Sequence, residues 1–102
     1  MDYLIDLPCV EITTSGTLIF AHGAGAPMDS DYMNTLTAEL NAVGVAVMRF
    51  EFPYMQQRRE SGGRRPPNRA PILLDCWREV YNEISNRSDV IQPILIGGKS
   101  MG

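Results

Sequence analysis

Pro93-Ile94-Leu95-Ile96-Gly97-Gly98-Lys99-Ser100-Met101-Gly102 closes the chain, and its reading decides the fold. Pro93 to Gly97 is a short apolar run, which predicts a strand covered on both faces, as in a parallel sheet. Residues 98–102 then fit Gly-x-Ser-x-Gly. A serine at that spacing sits on a sharp, strained strand-to-helix turn, and the residues two before and two after it must be small for the backbones to pass. Such a turn lifts the hydroxyl above the sheet, where a base can reach it. Ser100 is therefore the candidate nucleophile. An ordinary glycine-rich turn is the plainer alternative, and the strand pattern before the motif weighs against it.

Working outward, a second apolar run, Thr17-Leu18-Ile19-Phe20-Ala21, leads into Ala21-His22-Gly23-Ala24-Gly25-Ala26. Small residues after a strand let backbone N–H groups face a site unobstructed. In acyl transfer, one such N–H joins that of the residue after the nucleophile to hold the developing oxyanion. The donors on this reading are Ala24 and Met101, with Gly25 as an alternative to Ala24. A tight turn between strand and helix is the simpler reading of the same residues. Both glycine-bearing motifs follow strands, so both are expected at the carboxyl edge of one sheet, where open α/β sheets bind ligands.

The segments between are consistent with that layout. Asp29, Ser30 and Asp31 offer helix N-caps, Met33, Leu36, Leu40 and Val43 form one helical stripe, and Gly44 suits a left-handed stop. Val45-Ala46-Val47-Met48-Arg49-Phe50 is the next buried strand. Residues 51–69 read as a long irregular loop with prolines at 53, 66 and 67 and arginines at 58, 59, 64, 65 and 69. A loop of that length is functional or mobile. Pro71 then opens a helix whose apolar face is Leu73, Cys76, Trp77, Val80 and Ile84. Near the start, Tyr3-Leu4-Ile5 and Val10-Glu11-Ile12 suggest a small antiparallel ribbon. The order ribbon, β-α-β-α-β predicts an open, mostly parallel α/β sheet with helices on both faces.

The bulk numbers exclude several classes. At 102 residues there is room for one domain, and 44% hydrophobic with 21% charged residues is ordinary globular composition. A net charge of -3 gives no pull toward nucleic acid or an anionic membrane. The first residues carry no basic stretch before an apolar run, and no apolar run approaches the ~20 residues that span a bilayer. Cys9 and Cys76 are far apart and read as two reduced, buried thiols in a cytoplasmic protein.

The combination of His22-Gly23-Ala24-Gly25-Ala26, Arg49-Phe50-Glu51-Phe52-Pro53-Tyr54, Arg64-Arg65-Pro66-Pro67 and Gly98-Lys99-Ser100-Met101-Gly102 resembles the α/β-hydrolase superfamily. It is most similar to the small dienelactone-hydrolase-like members, over roughly residues 15 to 102. The resemblance implies a Ser, Asp/Glu, His triad in that chain order, and a sheet in which strand 17–21 lies between strands 45–50 and 94–97. It implies an N-terminal half only: a partial domain over 1–102, with the acid, the base and the helix after Ser100 outside it. The implied activity is serine hydrolysis of an ester, thioester or other acyl group, with no triad-dependent turnover by these residues alone. The other class is a non-catalytic binding or scaffold protein of the same fold.

Other motifs lose to specific residues. His22 precedes the serine, which breaks the hydrolase order, and is better read as bonded to backbone beside the amide loop. It is too solitary for a metal site, and no cofactor is expected. A phosphate-binding loop ending at Gly98-Lys99-Ser100 needs glycine where Pro93 stands. A dinucleotide fingerprint from Gly23 needs glycine where Met28 stands, after Pro27. The arginines at 58–69 lack interleaved aromatics, so nucleic acid is not the expected partner. A small acyl molecule is. Strand 94–97, lacking a further neighbour, is expected to expose an apolar edge through which copies self-associate.

Overall fold

The structure, a computed structural model, describes residues 3–63 and 66–98. Among them four strands form one sheet: β1 (Leu4–Asp6), β2 (Gly16–Ala21), β3 (Val45–Phe50) and β4 (Ile94–Gly98), in the spatial order β1-β3-β2-β4. β2 runs parallel to β3 and to β4, and β1 runs antiparallel to β3. Three helices connect them: α1 (Asp31–Ala42), α2 (Pro53–Ser61) and α3 (Ala70–Ser85).

Strand alternation divides the sheet into two faces. Phe20 and Val47 point to one face and meet Met33 of α1, with Leu18, Leu36 and Leu40 alongside. Ile19, Ala21, Met48 and Phe50 point to the other and meet Cys76, Val80 and Ile84 of α3. Those α3 residues recur every four positions, so one helical stripe covers the sheet. Leu73 and Trp77 flank it. Phe50, Ile19, Val80 and Ile84 have no exposed surface, and each contributes about 1.5–3 kcal/mol by leaving water. The mostly parallel α/β sheet with a helix on either face is thus present.

Local chemistry sets the element ends. Ser30 caps α1, its hydroxyl accepting from the Met33 N–H at 3.4 Å. Gly44 follows α1 at φ 91°, and a Cβ there would lie 2.6 Å from the Thr13 carbonyl oxygen, so only glycine fits. Asn41, near the end of α1, donates to the carbonyls of Asp6 and Val45 and ties the helix to both β1 and β3.

Several expectations need correction. Val10-Glu11-Ile12 is not a strand: the Ile12 N–H closes a turn onto the Cys9 carbonyl at 2.8 Å, and β1 pairs with β3 instead. Cys9 is exposed and only Cys76 is buried; both are free. Val43 lies past the end of α1 and is exposed, while Thr37 is the buried residue beside Met33. The supposed loop 51–69 contains α2, nine residues long. Pro53 opens that helix, where a missing N–H costs nothing, and Gly62 ends it in the left-handed conformation. Pro53, read as part of a loop, is its first residue. β4, expected to be covered on both faces, leaves Leu95 and Ile96 55% and 61% exposed; beside Ile96 only an open gap separates the strand from Trp77 and Tyr81 of α3.

Candidate active site

Strand register places the candidate loops. Ala21, the last residue of β2, pairs with Phe50 at the end of β3 and with Gly98 at the end of β4. Three neighbouring strands therefore end in line at one rim. Residues 22–30 leave that rim from β2, Glu51 and Phe52 leave it from β3, and Gly98 ends β4 there.

The loop after β2 is held from below by its histidine. His22 has no exposed surface. Its Nε2 accepts the Phe52 N–H at 3.1 Å, so the ring proton sits on Nδ1, which donates to the Gly23 carbonyl at 2.6 Å. Burial holds its pKa below the ordinary imidazole value. With both nitrogens engaged and the ring neutral, His22 cannot serve as a catalytic base. It clips the start of the loop to the β3–α2 junction, and Phe52 and Tyr54 pack edge-on against its ring.

Tyr54 and Glu51 fix the rest of the loop. The Tyr54 hydroxyl donates to the Ala24 carbonyl at 3.1 Å, which sets the plane of the Ala24–Gly25 peptide. Burial raises the Tyr54 phenol pKa, so it stays protonated and able to donate. Glu51, 3% exposed, accepts the Met28 N–H at 3.2 Å and two N–H groups of Arg59 at 3.0 and 2.6 Å. Arg59 also reaches Asp29 at 2.9 Å, and this bond holds the Asp29 carboxyl below its usual range. Arg49 pairs with Asp6 at 2.9 Å and donates to the Met28 carbonyl and to Asn34. The partner of the buried Glu51 carboxylate is thus the α2 arginine Arg59.

The pinned loop leaves donors free. Among the described residues, nothing accepts from the Ala24 or Gly25 N–H. Gly25 is exposed, and a Cβ built there would meet nothing within 4 Å. Neither packing nor a positive φ demands glycine at this position. Ser100 and Met101, with Lys99 and Gly102, lie outside the described residues, as do Arg64 and Arg65. The described residues hold no group of three or more metal-ligating side chains. Cys76 is no alternative nucleophile: burial pushes its thiol up to about 11. No helix among the described residues is long and apolar enough to cross a membrane.

Residues 14–102 match the sequence model of the alpha/beta hydrolase domain. The chain belongs to that family. Of solved structures, the hydrolase domain resembles Est1E from Butyrivibrio proteoclasticus, with a TM-score of 0.74 and 19% identity. That likeness is one of fold. It covers 98% of this chain and 36% of Est1E, so the chain spans about a third of that protein's length. Among curated proteins none matches.

Sequence reasoning found the backbone bonding of His22. It missed the supports, Tyr54 and Arg59, because they lie on a helix read as loop. The signal was present: Pro53 and Gly62 bracket a run of good helix formers, Met-Gln-Gln-Arg-Arg-Glu.

Proposed function

We propose that the chain supplies the nucleophile turn and the oxyanion-binding loop of a serine hydrolase acting on small esters or thioesters. Ser100 Oγ attacks the acyl carbon, and the carbonyl oxygen takes up negative charge. The N–H of Ala24, or of Gly25, together with that of Met101 receives that charge. The serine proton passes to a histidine outside these 102 residues, oriented by an acid also outside them, and then to the leaving alcohol or thiol. Water then releases the acyl group by the same route in reverse.

The observation that supports this most is the register of Ala21 against Gly98, which brings the unacceptored amides beside the strand that leads to Ser100. Neighbouring strands lie about 4.8 Å apart, so a group on one loop is within reach of the other. The loop is also held rigid before any ligand arrives, which an oxyanion site requires.

The test uses the protein that contains the whole catalytic set. A fluorophosphonate probe is expected to label it, and Ser100→Ala is expected to abolish labelling. Gly25→Ala is expected to keep the fold yet lower ester kcat/KM, by up to about 100-fold if the methyl displaces the oxyanion from one donor. An unlabelled but folded protein would instead support a binding protein built on the hydrolase fold.

A further inference from the structure

An open cleft of about 330 Å³ lies beside the amide loop, lined by Pro27, Met55, Arg58, Arg59, Gly62 and Gly63. Its two arginines are adjacent in sequence and differ in circumstance. Arg59 is occupied by Glu51 and Asp29. Arg58 is partly buried, and among the described residues its guanidinium has no hydrogen-bond or ion-pair partner. A cation in the last turn of a helix offsets the helix dipole, but Arg59 already stands there, and Arg58 need not turn into a cleft to do so. A partly buried charge without a counter-ion loses hydration with no return.

The cleft adjoins the proposed site through two connections. Pro27 is two residues past Gly25 on the same loop, and Arg58 is one turn past Tyr54, whose hydroxyl holds the Ala24 carbonyl. The Arg58 charge is also felt by that loop: it opposes protonation of His22 and lowers the Tyr54 phenol against the larger effect of burial. The cleft wall at Gly62 is bare, since a Cβ there would meet nothing within 4 Å.

We infer that this cleft is a subsite for an anionic group, a carboxylate or phosphate oxyanion carried by the substrate, with Arg58 as its counter-charge. The assignment rests on the hydrolase reading above and narrows its substrates to acidic esters or thioesters. The volume is at the small end of ligand pockets, about 300–1,000 Å³, and suits one oxyanion with a short carbon chain.

Two experiments separate this inference from the reading beneath it. The first follows the backbone N–H signals of Gly62 and Gly63, which line the cleft, by NMR while inorganic phosphate or glutarate is added at constant ionic strength. A saturable shift is expected, lost in Arg58→Gln and kept in Arg69→Gln, an exposed arginine outside the cleft. Saturation by phosphate alone points to phosphorylated substrates, and by glutarate alone to carboxylates. The second compares kcat/KM for the 4-nitrophenyl monoester of succinate with that for 4-nitrophenyl butyrate, in the protein with its full catalytic set. The acidic ester is expected to be preferred by about tenfold or more, with Arg58→Gln removing the preference and Arg58→Lys retaining part of it. Should Arg58→Gln fail to fold, Arg58→Lys and the wild-type titration still decide the matter. Hydrolysis without preference, together with no saturable shift, overturns the subsite and leaves the hydrolase reading standing. Saturable binding without hydrolysis keeps the anion site and removes the hydrolase reading.

Discussion

β3 and β4 flank the same strand, run in the same direction and carry similar apolar sequences, yet β3 is buried and β4 is half open. In β3, Ala46 to Phe50 are all buried, between α1 on one face and α3 on the other. In β4, Leu95 and Ile96 stand mostly in solvent. Both strands meet β2 in full register. Hydrogen bonding therefore does not separate them; the covering layer does. At the rim, the loop after β2 is stitched to the end of β3 by His22, Tyr54 and Glu51.

Substitutions should expose that asymmetry. Phe50→Ala removes a fully buried ring from the covered side and is expected to cost about 3–5 kcal/mol. Denaturant unfolding would measure it, and a loss under 1 kcal/mol would mean the β3 side is loosely packed. Arg59→Ala strips two hydrogen bonds from the buried Glu51 carboxylate and is expected to cost about 1.5–3 kcal/mol. Arg78→Ala, which breaks an exposed pair with Asp75, should change stability by less than about 0.5 kcal/mol. Equal losses for the two arginines would contradict the claim that the rim is held by charge.

The His22 clip makes a pH prediction. Its folded pKa lies below the ordinary value of 6.5, so between the two values the unfolded chain binds a proton that the folded chain refuses. Stability is then full above about pH 6.5 and falls as pH drops, at no more than about 1.4 kcal/mol per pH unit. His22→Gln should flatten the curve between pH 7.5 and 5.5, a window above that of Asp29, whose depressed pKa matters only below 3.8. The smallest effect belongs to the open side. Ile96→Ser should leave stability within about 0.5 kcal/mol and reduce concentration-dependent association in sedimentation, since it removes apolar surface from the outer strand.

How far the sequence could be read follows from the same contrast. Periodicity and Gly-x-Ser-x-Gly specified a parallel sheet with loops at one rim, because strand burial and turn sterics are local and leave a local pattern. Burial of β4 was not legible, because Ile94-Leu95-Ile96 looks alike whether or not a layer covers it. Nor was the choice of Arg59 for Glu51, because the arginines at 58, 59, 64, 65 and 69 are equivalent in sequence until α2 orients the first two. The bareness of Gly25 emerged only from geometry: sequence shows a glycine, and the structure shows that neither the fold nor a tight turn requires one.

The central claim concerns where an oxyanion would sit. A crystal structure of the protein containing this chain, with a phosphonate bonded to Ser100, tests it most directly. The expected result is a phosphoryl oxygen within about 3.1 Å of the Ala24 or Gly25 nitrogen. A phosphoryl oxygen turned away from that loop, toward solvent or toward other donors, would contradict it.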